Sequence, residues 1–164
     1  MMGRREFGIA GVSALTMAAM GSRSVGQEQG AADKPTRKEK RQHRHNVKAY
    51  QDCAKACSDC QRECNACTTH CGHMLADGNE RHLTTLESCQ DCADICAVAS
   101  QIVARGGPYS NLICEACAEA CKKCAEECEK FPDDEHMTKC AKACRDCEKA
   151  CRDMLAANLE HRHD

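Results

Sequence analysis

Cys53-Ala54-Lys55-Ala56-Cys57-Ser58-Asp59-Cys60-Gln61-Arg62-Glu63-Cys64-Asn65-Ala66-Cys67-Thr68-Thr69-His70-Cys71 is the stretch that decides the fold. Its cysteines step alternately by four and three residues. On a helix of 3.6 residues per turn, that spacing puts all six thiols on one stripe, the a/d seam of a helix that packs on others. The rhythm returns at Cys89, Cys92 and Cys96; at Cys114, Cys117, Cys121, Cys124 and Cys128; and at Cys140, Cys144, Cys147 and Cys151. Stop signals separate the four runs. Asp77-Gly78-Asn79 ends one helix and can cap the next, Gly106-Gly107-Pro108 makes the second break, and Pro132-Asp133-Asp134-Glu135 makes the third and caps the fourth helix. Helices are therefore predicted over roughly 42–77, 80–105, 109–131 and 133–160. Their short links make neighbours antiparallel. The fold class is all-α, an antiparallel up-down-up-down four-helix bundle with a cysteine-lined core.

Register comes from the numbering. Residues at one level on two antiparallel helices have a constant sum of residue numbers. Cys67/Cys89, Cys64/Cys92 and Cys60/Cys96 satisfy this for the first two helices, and Cys89/Cys124, Cys92/Cys121 and Cys96/Cys117 for the second and third. The third and fourth agree to within one residue. Three layers of four thiols are expected: 67/89/124/140, 64/92/121/144 and 60/96/117/147. Cys57, Cys114 and Cys151 lie below them with Ala99, and Cys53 lies near Val103 at the far end. Cys71 and Cys128 lie above them with Thr85.

Composition says the same. The chain has 18 cysteines in 164 residues, no Trp, two Tyr and two Phe. Residues 42–164 hold only 13 Leu, Ile, Val and Phe, too few for an ordinary apolar core. The formal net charge is −2. No overall basic field points to nucleic acid, and no run reaches the 18 or so apolar residues that span a bilayer.

Packing alone is a poor reason for eighteen thiols, since Ala, Val or Leu would fill the space without redox chemistry. Disulfides are a second reading. Yet they usually staple loop-rich folds, the links here hold no cysteine, and a continuous thiol column would not specify its pairing. Metal is the third. Six C-x2-C and eight C-x3-C pairs put adjacent sulfurs on one face. Zn²⁺ in four-thiolate sites would leave −2 at each site without side-chain counter-charges. Cu(I) is soft, accepts two or three thiolates, and can neutralise one thiolate per ion in a shared cluster. The iron–sulfur run C-x2-C-x2-C-x3-C-P and the haem motif C-x-x-C-H are both absent.

Over residues 42–160 the chain resembles the bacterial copper storage proteins. The likeness rests on Cys53-x3-Cys57-x2-Cys60-x3-Cys64-x2-Cys67-x3-Cys71 and Cys140-x3-Cys144-x2-Cys147-x3-Cys151. The resemblance implies many Cu(I) ions held by C-x3-C pairs and by cysteines across helices. It also implies entry past Met and His residues at one open end, and tetramers of bundles in some members. All eighteen cysteines are thus the expected metal ligands. The register places Met74, His82, His136, His70, His73 and Met137 at one end, as metal-entry candidates. The other end, with His43, His45, His161 and His163, reads as frayed termini over a plug of Tyr50, Val103 and Leu155.

No catalytic residue is predicted, and the chain is expected not to be an enzyme. A redox enzyme would have to use pairs such as Cys121-Lys122-Lys123-Cys124, which lie deep on the stripe without a βαβ pattern. A disulfide-stapled exported helical protein and a zinc or metallothionein-like sink are the remaining alternatives. Expected partners are copper ions, a copper donor or acceptor protein and further copies of the chain, with no nucleic acid.

The N-terminus Gly3-Arg4-Arg5-Glu6-Phe7-Gly8-Ile9 resembles a twin-arginine (Tat) export signal. A weakly apolar run to Met20 and small residues at Ser24-Val25-Gly26 come after it. Residues 1–26 are read as this signal peptide, 27–41 as a flexible polar tail, and 42–164 as the Cu(I)-binding bundle. Thr36-Arg37-Lys38-Glu39 fits a capping box that would start the first helix early. The expected location is the periplasm, with the cytoplasm as the alternative.

Overall fold

The computed structural model describes residues 36–159 and leaves the side chains of 38–46 undescribed. It contains four helices: α1 Arg37–Ala76, α2 Leu83–Ala104, α3 Ser110–Cys128 and α4 Glu135–Leu159. α1 packs on α2 and α4, and α3 packs on the same two, so the four form a square with neighbours antiparallel.

The ends of the helices are set by local chemistry. Gly78 has φ +85° and Gly106 has φ +61°. Each closes a helix through paired bonds. Asn79 N–H donates to the Met74 carbonyl and Gly78 N–H to that of Leu75, while Gly107 N–H donates to Ile102 and Gly106 N–H to Val103. This is the Schellman arrangement, and the left-handed backbone it needs is why glycine stands at both positions. Asp134 caps α4, its Oδ1 accepting from the backbone N–H of His136 at 2.9 Å and Met137 at 3.2 Å.

Three boundaries differ from the sequence reading by three residues or more, one of them the end of α3, which falls at Cys128 and not at residue 131. α1 starts directly after Thr36, where the capping-box residues lie, and so takes residues 37–41 into the helix. α2 starts at Leu83 and not at residue 80, because Glu80–His82 forms a separate 3₁₀ turn. That turn folds His82 inward, leaving it 1% exposed.

The core is inverted relative to an ordinary bundle. All eighteen cysteines are buried, as are Val103, Met137 and Met154. Leu83, Val98, Leu112 and Leu159 are about half exposed or more on the outside. Small side chains (Ala93, Ala118, Ala125, Ala141) let the helices approach. The outer face carries i,i+4 ion pairs such as Lys142–Asp146 and Lys149–Asp153. Arg145–Glu129 and Arg152–Glu119 tie α4 to α3. These pairs are exposed and worth little individually. What holds the apo bundle is helix geometry and the packing of small sulfur-bearing side chains.

Candidate metal centre

All eighteen cysteines are free thiols. They form one connected column along the bundle axis. At its far end Cys53 Sγ lies 3.5 Å from Cys114 Sγ and 3.6 Å from Cys151 Sγ. Cys57 then contacts Cys147, Cys151 and Cys117 at 3.7–3.9 Å. In the middle, Cys60 and Cys64 each approach Cys144 to 3.6 Å, and Cys96 lies 3.5 Å from Cys121. Nearer the other end, Cys89 meets Cys124 at 3.6 Å and Cys128 at 3.8 Å.

The antiparallel partners read from the numbering are in contact where Cys89 meets Cys124, Cys92 meets Cys121 and Cys96 meets Cys117. Sets whose ligand atoms lie within 4.8 Å of one another include 57/117/147/151, 60/92/96/121, 60/64/92/144, 64/124/140/144 and 67/89/128/140, none of which is a flat layer of four. Each draws from two successive expected layers. The sulfurs are staggered because each Cβ leans toward its helix N-terminus, and in antiparallel neighbours those leanings oppose. Cys60, Cys64, Cys92, Cys140 and Cys144 each belong to at least two sets. The ligand sets therefore overlap, and a column of shared thiolates can take a cluster rather than isolated ions.

Spacing suits metal bonding. With metal–sulfur bonds of about 2.3 Å, a trigonal ion holds its sulfurs about 4.0 Å apart and a tetrahedral one about 3.8 Å. The thiol contacts in the column run from 3.5 to 4.0 Å.

The thiols cannot all ionise at once in a dry interior. Burial raises every one of them, and hydrogen bonds then divide them into donors and acceptors. Cys60 and Cys117 are held low by thiol hydrogen bonds led by that from Cys121, and Cys124 by those led by Cys128. Cys64, Cys121 and Cys144 are pushed up, chiefly as partners of Cys124, Cys117 and Cys124 respectively. Cys140 comes down to about 6. Its bond with Cys124 opposes ionisation, and those with Cys128, Cys144 and Cys64 outweigh it. The apo column is thus a mixed thiol–thiolate chain.

At the end formed by the first and third links, His70, His82 and His136 come together. His70 stacks on His136 with ring centroids 4.5 Å apart and meets His82 edge-on at 6.1 Å. His82 stacks on Phe131 at 4.2 Å, and the Arg81 guanidinium lies 5.3 Å from the centre of the same Phe131 ring. His70 Nε2 bonds Asp134 Oδ2 at 2.8 Å. Burial, and then the neighbouring His70, lower the His82 pKa, so its ring is held neutral. Its Nδ1 is buried without a hydrogen-bond partner, as is Thr85 Oγ1. Met137 is fully buried, and its sulfur lies 3.5 Å from Cys67 Sγ. Met74 is half-buried and lines a surface depression of about 530 Å³ with His82, Phe131 and Asp134.

Five of the six entry candidates are thus gathered together at this end. His73 lies at the same end, in the last turn of α1, but its side chain is exposed and stands outside this cluster. Phe131 and Asp134 also belong to this end, and the sequence reading does not include them. The capping signal at Asp134 is legible, but its second oxygen on His70 depends on how the link folds. Replacing Asp134 by Ala removes the α4 cap and the His70 tether together. The expected loss is about 1 kcal/mol, read as a lower midpoint in urea unfolding of the apo protein with an unchanged slope.

At the opposite end Asn158 Nδ2 donates to Tyr50 Oη at 2.9 Å and Asn111 Oδ1 at 2.7 Å, over the buried Met154. Tyr50 and Leu155 are partly buried against the core, to which Val103 belongs. To the plug of Tyr50, Val103 and Leu155 the structure thus adds a polar clasp. Of the histidines assigned there, His161 and His163 fall outside the described residues, and the side chains of His43 and His45 are not described.

Fold and column together define a cysteine-lined four-helix bundle whose interior suits soft metal ions. The family model for copper storage proteins matches residues 41–156, and the chain belongs to that family. Among solved structures, it is similar to a cytosolic copper storage protein from Streptomyces lividans, solved during copper loading with five coppers. The two are 30% identical with a TM-score of 0.63, over 68% of this chain and 96% of that one. It is also similar to Cu(I)-bound copper storage protein BsCsp3 (37% identity, TM-score 0.59, 65% of this chain and 98% of that one). The third, apo copper storage protein 3 from Bacillus subtilis, shows 38% identity and a TM-score of 0.56, over 63% of this chain and 96% of that one. No curated protein matches.

Proposed function

We propose that this chain is a Cu(I) store, not a catalyst, and that its eighteen core cysteines are the ligands. The observation that carries the reading is a continuous column of buried free thiols with overlapping ligand sets. Charge selects the ion. Eighteen thiolates balance on the order of eighteen monovalent ions, whereas tetrathiolate Zn²⁺ would leave a stacked negative charge in a dry core. Copper enters at the histidine end. His82 offers an unpartnered ring nitrogen, and Met137 links that end to Cys67. His70, His136 and Met74 stand at the rim.

The test is anaerobic titration of the reduced protein with Cu(I) against a chromophoric chelator. Uptake close to the cysteine count is expected, and saturation at four equivalents or fewer would exclude a store. Replacing His82 and Met137 by Ala and Leu should slow loading at least several-fold while leaving capacity unchanged. Equal loading rates would place entry elsewhere.

We further infer export through the Tat-like leader over residues 1–26, with 27–36 as the polar connection and stored copper exchanged with a donor or acceptor protein. The support is Arg4-Arg5 before the weakly apolar run to Met20. Among the described residues no helix is long and apolar enough to cross a membrane. Fractionation of cells with and without Arg4→Lys/Arg5→Lys tests this. Retention of the wild-type chain in the cytoplasm would refute it.

A further inference from the structure

We propose that the far end of the thiol column is a second copper port, with Met154 as the ligand that passes the ion and Asn158 as the latch over it. The proposal rests on the reading of the chain as a Cu(I) store. The seam of α4 carries it. That seam runs Met137, Cys140, Cys144, Cys147, Cys151, Met154 in unbroken steps of three and four, so a thioether stands at each end of four thiols. All six side chains are buried, both methionines fully. Facing them on α1 are Cys67, Cys64, Cys60, Cys57, Cys53 and Tyr50, paired by a constant sum of residue numbers. The first five pairs are in sulfur–sulfur contact, from Met137 on Cys67 at 3.5 Å to Cys151 on Cys53 at 3.6 Å. The sixth closes through Asn158, which bonds both Tyr50 Oη and Met154 Sδ.

Met154 thus stands in the seam as Met137 does. Cys151 and Met154 are three residues apart on one helix face, the spacing of a C-x2-C pair, which sets their Cβ atoms about 5–6 Å apart. One turn below, Cys53, Cys114 and Cys151 form the last trio of the column, with Cys53 Sγ 3.5 Å and 3.6 Å from the other two sulfurs. A thioether is soft enough to take Cu(I) but carries no charge, so it holds the ion less tightly than a thiolate. An ion on Met154 is therefore handed down to the trio on loading. It is drawn up again when a stronger acceptor waits outside.

The groups above this sulfur suit a gate better than a seal. Tyr50, Asn111 and Asn158 are each only partly buried, and their polar atoms meet over the buried Met154. A primary amide carries two N–H donors. Asn158 Nδ2 is nonetheless shared among three acceptors: Asn111 Oδ1 at 2.7 Å, Tyr50 Oη at 2.9 Å and Met154 Sδ at 3.1 Å. The thioether is the weakest acceptor of the three and holds the latch least. All three bonds belong to one side chain in the last turn of α4, and helix ends open at low cost. Turning Asn158 aside frees the sulfur without moving a helix.

Anaerobic unloading of the Cu(I)-filled full chain into excess bathocuproine disulfonate tests this. Met154→Leu keeps the volume and removes the sulfur, and should slow unloading several-fold. Asn158→Ala removes the latch and keeps the sulfur, and should speed it several-fold. Tyr50→Phe, which removes only a hydroxyl, should speed it to a smaller degree and repeats the test at lower risk to the fold. The opposite signs separate a port from a plug, because damage to a plug would loosen this end in both the Met154 and the Asn158 variants. In the H82A/M137L background, where the histidine end is impaired, adding M154L should lower the residual loading rate several-fold further. Circular dichroism and Cu(I) capacity equal to the parent's show that each variant is folded and still a store. A parent that saturates at four equivalents or fewer refutes the store, and the port with it. A parent of full capacity whose M154L variant unloads as fast as it does, or faster, refutes the port alone. So do N158A and Y50F variants that unload no faster than the parent.

Discussion

Filling the column with Cu(I) should raise the thermal midpoint by tens of degrees. The apo core gives little to build on. Among the described residues Val103 is its only fully buried branched aliphatic, and the larger ones are exposed or only partly buried. Folding of the apo chain therefore rests on packing of thiols and alanines, with about half the usual apolar reward per buried side chain. Any ion bound by the folded state and not by the unfolded one adds RT ln(1 + [L]/Kd), about 4 kcal/mol when the ligand stands a thousandfold above Kd. A domain of this size gains about 3–5 °C per kcal/mol. Four such ions already suffice for a shift of several tens of degrees. The unfolded chain keeps its C-x3-C pairs and will also bind copper, which trims the gain to the part due to preorganised contacts across helices. Those contacts dominate the column, as with Cys53 on Cys114 and Cys151, or Cys64 on Cys144. Differential scanning calorimetry of apo and loaded protein under anaerobic conditions reads the shift directly. Co-melting within about 3 °C would mean that the metal sits on local pairs and does not cross-link the bundle.

Much of this site is legible because the core itself is written in one residue type. A heptad of leucines would show the same helices, but its inward face would carry no chemistry. With cysteine at each seam position, the pattern that locates the core also locates the ligands. The constant sums between helices set the register to one residue, about 1.5 Å along the axis. That resolution ends where the ligand sets begin. Whether Cys60 shares an ion with Cys96 or Cys64 depends on which way each Cβ leans and on its rotamer, and the observed sets straddle the expected layers.

The links are harder to read for a different reason. Asn79 reads as the start of a helix, but the 3₁₀ turn after it rotates His82 off the surface and onto Phe131. Nothing in the spacing of His82 distinguishes those outcomes. The early start of α1 has only the capping-box residues from Thr36 as a signal, since residues 37–48 carry a single apolar residue, Val47, and so no apolar period.

Acid should empty the store. Lowering the pH from 7.5 to 5.5 should weaken apparent Cu(I) binding by about tenfold per pH unit for each proton displaced per ion. The sign comes from the states of the apo thiols. Cys64, Cys121, Cys144 and eight further cysteines are pushed above the ordinary thiol range, so they enter the reaction protonated and must give up a proton when copper binds. Cys140, at about 6, is already largely thiolate at neutral pH and should displace little. Below pH 6 it too becomes protonated, and the opposition to binding grows. Proton uptake and release can be measured in weakly buffered solution with an indicator dye while copper is added. The expected yield at pH 7.5 is somewhat below one proton per thiolate formed, rising toward one as the pH falls to 5.5. The thiols held low by their neighbours account for the shortfall. A yield near zero would show that the column is already fully ionised, which would put many like charges in a dry interior and contradict its burial. Yields that match expectation, with affinity independent of pH, cannot both occur, because proton release and pH-dependent affinity are linked. The two measurements therefore check each other. Together they make the thiol column, rather than the histidine end, the element that sets whether copper stays or leaves: three imidazoles, one of them held neutral by burial, cannot supply the proton count that eighteen sulfurs can.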